Sequence, residues 1–91
     1  VTAKIFSGEK LMFSLVTLAP DAVVPTHTHP HEQVGMMVSG TMEFTIAGET
    51  RVLSGNAMYL VPGGVPHAAK AGPGGAVALD AFAPPREEYK T

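Results

Sequence analysis

The clearest pattern in this chain is an alternation of polar and apolar residues with a period of two. Residues 41–46, TMEFTI, alternate without a break, which is typical of a strand with one buried face. Residues 11–18 are apolar and β-branched, and Leu11, Phe13 and Leu15 would share one face of a strand. Further strands are predicted over residues 33–38, 51–53, 57–61 and 76–82.

Short turn signals rich in glycine, proline, asparagine and aspartate separate these segments. They lie at residues 19–21, 39–40, 47–49, 54–56, 62–64 and 72–75. No segment carries a helical stripe with caps, and the charged tail 86–90 would form at most one helical turn. Many short strands joined by turns predict an all-β sandwich or barrel.

Length and composition favour one small folded domain. The chain has 91 residues, enough for one domain and too few for two. Hydrophobic residues make up 45% and charged residues 15%, which argues against disorder and leaves little polar surface for a monomer. We therefore expect a homodimer, a common solution for small chains.

Charge and cysteine content exclude several classes of partner. The net charge is −2 with no basic cluster, so neither nucleic acid nor an anionic membrane is an expected partner. There are no cysteines, which rules out disulfides and thiolate metal sites. No apolar run reaches the 18 or so residues needed to span a bilayer, and no signal peptide is evident. A cytoplasmic protein is the expectation.

A histidine cluster is the strongest chemical signal. Three of the four histidines lie in the segment 25–33, PTHTHPHEQ. In an extended strand, residues two apart point the same way, so His27 and His29 would aim their imidazoles at one point. His31 and Gln33 share that parity. Imidazole is a good ligand for divalent transition metals at neutral pH, and further ligands would have to come from another segment.

The segments 27–40 and 55–67 resemble the two conserved motifs of the cupin superfamily. The residues that carry the resemblance are His27, His29, Gln33 and Gly40 in the first motif and Pro62, Gly64 and His67 in the second. The resemblance implies that residues 1–91 form a single cupin domain, a small jelly-roll-like β-barrel. It also implies one bound divalent transition metal, with zinc, nickel, manganese, iron and copper all open. The implied metal ligands are His27, His29, Gln33 and His67.

The third ligand departs from the usual cupin pattern. Gln33 stands where most cupins have glutamate, although Glu32 is adjacent. Parity favours Gln33, because Glu32 would face away from the histidines unless Pro30 bends the strand. A neutral amide would leave the cation its full charge and make a bound water or substrate oxygen more acidic. We expect His31 to line the pocket rather than to bind the metal.

The C-terminal segment supplies candidate catalytic residues. Ala78, Asp80 and Phe82 share one strand face, and an acidic residue there is costly to bury unless it is paired or used. Asp80 could therefore transfer a proton in the barrel. Residues 84–85 are both proline, so the chain should leave the sheet there. Arg86 could then clamp a substrate carboxylate, and a plain Asp80–Arg86 salt bridge is the alternative.

Taken together, these segments resemble the small pectin-degradation cupins that act on 4,5-unsaturated monouronates. The resemblance implies a metal-dependent enzyme that promotes ring opening of a small carboxylated sugar, with Asp80, Phe82 and Arg86 as catalytic residues. A polyketide-cyclase-like or other isomerase cupin is an alternative, as is a dioxygenase, which Gln33 disfavours. A non-catalytic cupin that binds or senses a small molecule is a further alternative, and it would not need Asp80.

Overall fold

The computed structural model describes residues 1–85, and this part of the chain is built of strands without a helix. The strands are β1 (Thr2–Ser7), β2 (Met12–Leu18), β3 (Val23–His27), β4 (Glu32–Ile46), β5 (Glu49–Leu53), β6 (Met58–Val61) and β7 (His67–Ala83). The all-β prediction is thus confirmed. Arg86 and the predicted helical turn lie outside the described residues. A search of residues 1–85 finds no helix suited to crossing a membrane.

Two long antiparallel strands, β4 and β7, form the centre of the fold and pair with each other along most of their length. Their inner faces contribute to one shared hydrophobic core. On one side, the second part of β7 pairs with β2, and the first part of β4 pairs with β6. On the other side, the first part of β7 pairs with β3, and the second part of β4 pairs with β5. β1 extends the first side by pairing with β2.

Both central strands continue through segments that the sequence predicts as turns. Residues 39–40 lie inside β4 and residues 72–75 lie inside β7, so these two turn predictions are wrong. The β4–β7 register shifts around Gly40, which has a φ of 76° and would place a Cβ only 2.1 Å from the carbonyl oxygen of Gly75. Glycine here permits a bulge and a close approach of two backbones, not a chain reversal.

Other differences concern strand limits and the face of β2. Strands β1 and β3 were not predicted, because β1 lacks a buried face and Pro25 interrupts β3. The sequence predicts that Leu11, Phe13 and Leu15 share one face of a strand without indicating whether that face is buried, and in the structure Leu11 and Phe13 are exposed. Phe13 is 44% exposed, whereas Ser14 is 3% exposed and Met12 is buried. Periodicity separates the two faces of a strand, but only packing decides which of them is inside.

The core combines large side chains from β2, β4 and β6 with small ones from β7. Its buried members are Leu18, Met37, Met42, Phe44, Val61, Ala71, Ala76 and Ala78. The alanines on the central strand β7 do not fill the interior. A cavity of about 160 Å³ remains between the strands, and the polar side chains described next line its wall.

Candidate metal centre

Three histidines from two distant segments of the chain meet beside this cavity, and His27 and His67 line it. His27 ends β3 and His67 begins β7, and the two residues are cross-strand partners. Their ring centroids are 4.2 Å apart. The His29 ring lies 4.8 Å from that of His67 and 5.7 Å from that of His27. One potential ligand atom from each residue lies within 4.8 Å of the others, close enough to hold one metal ion.

His29 reaches this point from a loop, so the strand-parity argument for its orientation is wrong. The chain leaves β3 after His27 and enters β4 at Glu32. The backbone amide of Gly64 donates a hydrogen bond of 2.8 Å to the carbonyl of His29. A Cβ on Gly63 would lie 2.3 Å from the carbonyl oxygen of Pro30. The tight turn before β7 thus packs against the loop and holds His29 beside His67.

The hydrogen bonds of the three imidazoles leave the same ring nitrogen of each with a lone pair. Each Nδ1 lies 2.8 to 3.1 Å from a backbone carbonyl oxygen, those of Pro25, His31 and Val65 for His27, His29 and His67 respectively. Because a carbonyl only accepts, each Nδ1 carries a hydrogen, and in the neutral imidazole Nε2 then has the lone pair. Nδ1–H bonded to a backbone carbonyl is typical of metal-binding histidines.

Gln33 adds an oxygen to this set of nitrogens. Its side chain is only 6% exposed, and its Oε1 lies 3.2 Å from Nε2 of His29. A hydrogen bond from Gln33 to the Asp80 carboxylate orients the amide nitrogen away from His29. Two acceptor atoms therefore face each other, an arrangement that a cation between them would stabilise. Three imidazoles and one carboxamide suit a divalent transition metal.

Gln33 rather than Glu32 is expected to act as the fourth ligand, since Glu32 is exposed while Gln33 is buried beside His29. Gln33→Ala should weaken affinity for zinc or nickel by about 100-fold or more, because even outer-shell partners contribute about 10–100-fold. Glu32→Ala is the matched control and should change affinity by no more than about twofold, since exposed charges contribute little. Calorimetric titration of metal-free protein measures both. Equal losses in the two variants would contradict this assignment.

The structure places His31 and Phe82 at the margin of the cluster. The His31 ring centroid is 5.5 Å from that of His29, but His31 is not part of the group of three. It contributes its backbone carbonyl, which accepts the hydrogen bond from His29. Phe82 is buried, lines the cavity and makes an edge contact with His29 at 5.6 Å between centroids.

Asp80 lines the same cavity and has a partner that sequence reasoning missed. It is 6% exposed, and the Tyr59 hydroxyl donates a hydrogen bond of 2.5 Å to its Oδ1. Burial raises the pKa of Asp80, and hydrogen bonds from Tyr59 and Gln33 oppose this rise. The alternation of Tyr59 with Val61 in β6 indicated an inward side chain, but nothing in the sequence indicated its partner.

Comparisons with known proteins agree with this architecture. The model of the cupin domain family matches residues 14–82. The pectin degradation protein KdgF of Dickeya dadantii is 29% identical over 83 residues, which cover 90% of this chain and 76% of the relative.

Two solved structures are similar over nearly the whole chain. KdgF from Halomonas sp. is 31% identical with a TM-score of 0.91, covering 97% of this chain and 82% of that one. An RmlC-like cupin from Shewanella frigidimarina is 28% identical with a TM-score of 0.91, covering 97% and 79%.

Proposed function

Because this chain belongs to the cupin family, we propose that it is a metal-dependent enzyme that opens the ring of a 4,5-unsaturated monouronate to a linear keto acid. The single observation that carries the proposal is the close approach of three histidines and Gln33 beside a cavity that the buried Asp80 carboxyl lines. The similarity to two KdgF proteins, one of them named for pectin degradation, supports this substrate class.

The proposed metal ligands are Nε2 of the three clustered histidines and Oε1 of Gln33. A divalent transition metal bound there would supply Lewis acidity toward a substrate oxygen. All four donors are neutral, so they would leave the positive charge of the ion undiminished. That property suits a site that must stabilise negative charge on a sugar oxygen.

Asp80 is proposed to move the proton. Its carboxylate would take the proton from the anomeric hydroxyl, which is on the carbon that also carries the ring oxygen. As a carbonyl forms at that carbon, the bond to the ring oxygen breaks and its electron pair is left as an enolate. The enolate then takes a proton back at C4, the double-bond carbon that does not carry the oxygen, and becomes the keto acid. The reaction is therefore a net proton shift. The raised pKa of Asp80 suits a group that both accepts and returns a proton.

Phe82 and Arg86 complete the proposal. Phe82 lines the cavity and would offer an apolar wall to the sugar ring. Arg86, beyond the described residues, would bind the uronate carboxylate, a role that suits the guanidinium group.

The test follows the absorbance of the conjugated double bond of an unsaturated monouronate after addition of purified, metal-loaded protein. We expect absorbance to fall faster than in the spontaneous reaction, the acceleration to be lost on chelation, and activity to return with added metal. A folded, metal-loaded protein that gives no acceleration would contradict the proposal. Tight uronate binding without turnover would favour the non-catalytic binding cupin.

A further inference from the structure

Four residues lie in register across four neighbouring strands. Tyr59 of β6 is opposite Gly35 of β4, Gly35 is opposite Asp80 of β7, and Asp80 is opposite Ser14 of β2. Tyr59 and Asp80 are therefore separated by the whole of β4. Strands two apart in a sheet are about 9.5 Å from each other, yet the Tyr59 hydroxyl and the Asp80 carboxylate are 2.5 Å apart.

The missing side chain of Gly35 makes this contact possible. A Cβ at Gly35 would lie 2.2 Å from Oδ1 of Asp80 and 2.6 Å from the ring of Tyr59. The backbone of Gly35 is not in the left-handed region, so conformation does not require glycine at this position. The requirement is for space, and the space is occupied by the tyrosine side chain reaching toward the carboxylate.

Tyr59 is also held from its other side. The ring of Phe44 packs against it edge-on, with 4.6 Å between centroids. Burial and the neighbouring Asp80 raise the pKa of Tyr59 far above its usual value, so the phenol stays protonated and remains a donor. Through Asp80, the contact continues to the amide of Gln33. A line of hydrogen bonds thus joins Tyr59 to the metal-ligand cluster.

We propose that Tyr59, reaching across Gly35, is a positioning residue that fixes the orientation of the Asp80 carboxyl for proton transfer. The inference rests on the proposed function, because Asp80 is the group that moves the proton there. One oxygen of Asp80 is held by the tyrosine hydroxyl, which sets how the other is presented to the cavity. Misplacement of a reacting group by about 1 Å can lower a rate about 100-fold.

The principal variant is Tyr59→Phe, which keeps the ring and removes the hydroxyl. We expect kcat to fall by about tenfold or more, KM to stay within about twofold and metal content to be unchanged. Tyr59→Leu should lose a similar factor in kcat and lower the melting temperature further than Tyr59→Phe, because it also removes the ring that packs against Phe44. A purely structural role would leave Tyr59→Phe with normal kcat and damage only Tyr59→Leu.

Gly35→Ala tests the same contact from the opposite direction, since its methyl group would separate the two side chains. It should reproduce the kcat loss of Tyr59→Phe. Gly74→Ala is the matched control, because a Cβ there meets nothing within 4 Å and its φ is ordinary, and it should change kcat by no more than about twofold. If Gly35→Ala does not fold, the kcat of Tyr59→Phe alone tests whether the contact positions Asp80.

A measurement without substrate separates this inference from the proposed function. In metal-free protein, Tyr59→Phe should lower the melting temperature by about 5 °C and should have no such effect in an Asp80→Ala background. Additive shifts, or normal kcat in Tyr59→Phe with an active wild type, would overturn the inference and leave the proposed function intact. A wild type that turns over no uronate would refute the proposed function and with it the catalytic part of the inference, while the melting-temperature cycle would still show whether Tyr59 holds the Asp80 carboxyl.

Discussion

His67→Ala is expected to lose the bound metal and all measurable turnover. His67 is the proposed ligand that links the second motif to the first, with its ring 4.2 Å from that of His27 and 4.8 Å from that of His29. Removing one imidazole of the proposed four-donor set should weaken metal affinity by more than the about 10–100-fold typical of outer-shell changes. Elemental analysis of purified protein, followed by metal titration and the uronate assay, measures the loss.

His31→Ala is the matched control for His67→Ala. The side chain of His31 is outside the group of three, and alanine keeps the backbone carbonyl that accepts from His29. This variant should therefore retain a full complement of metal. Melting curves in chelator show whether each variant is folded. A folded His67→Ala protein that still carries one metal per chain would contradict the assignment of the centre.

Asp80→Asn is expected to lower turnover by on the order of 1,000-fold, within the range of general acid–base catalysis. Asparagine has a similar shape and can still accept the hydrogen bond from Tyr59, but it cannot take up and return a proton. Affinity for the uronate should change little, since the proposed metal and the cavity wall remain. Steady-state kinetics and equilibrium binding separate the two effects. Turnover within tenfold of wild type would exclude Asp80 as the group that moves the proton.

The same variant should be more stable than wild type at neutral pH when both are metal-free. Burial raises the pKa of Asp80 above its unfolded value of about 3.9, so its contribution to stability is fully present below that value. The contribution is lost as pH rises through the folded pKa, because the buried group must then carry charge.

Thermal unfolding from about pH 4 to pH 8 checks the sign of this effect, because the reference pKa of an aspartate lies near the lower limit. The melting temperature of Asp80→Asn should exceed that of wild type near pH 8, and the difference between the two proteins should narrow toward about pH 4. A variant that is less stable throughout would show that the hydrogen bonds from Tyr59 and Gln33 outweigh the cost of burial. Gain of stability with loss of turnover is typical of a residue retained for function.

Several features of the site could be predicted from local sequence alone. The inward face of Asp80 and Phe82 follows from their alternation in a strand, and both residues are buried. The burial of Gln33 and the exposure of Glu32 agree with their opposite parity. The meeting of His67 with the first histidine segment came from the cupin resemblance rather than from periodicity. The structure confirms that these residues meet, while their role as ligands stays a prediction.

Other features depended on contacts between distant segments. The turn signals at residues 39–40 and 72–75 lie inside β4 and β7, where the register shifts near Gly40 and Gly40 approaches the backbone of Gly75 closely. A glycine signal does not distinguish such an irregularity from a chain reversal. The sequence did not indicate which face of β2 is buried, because Ser14 lines a cavity that no local pattern reveals. The position of His29 depends on the turn containing Gly63 and Gly64.

The sequence by itself determined the all-β class and the positions of the polar residues that alternate into the interior, because both depend on neighbours along one strand. Tertiary structure alone decided which residues from different strands touch. Tyr59 is the clearest case, since its contact with Asp80 depends on the register of three strands and on the missing side chain of Gly35 between them. Register is a property of paired strands, set by packing across the sheet, and it is therefore absent from the periodicity of any single segment.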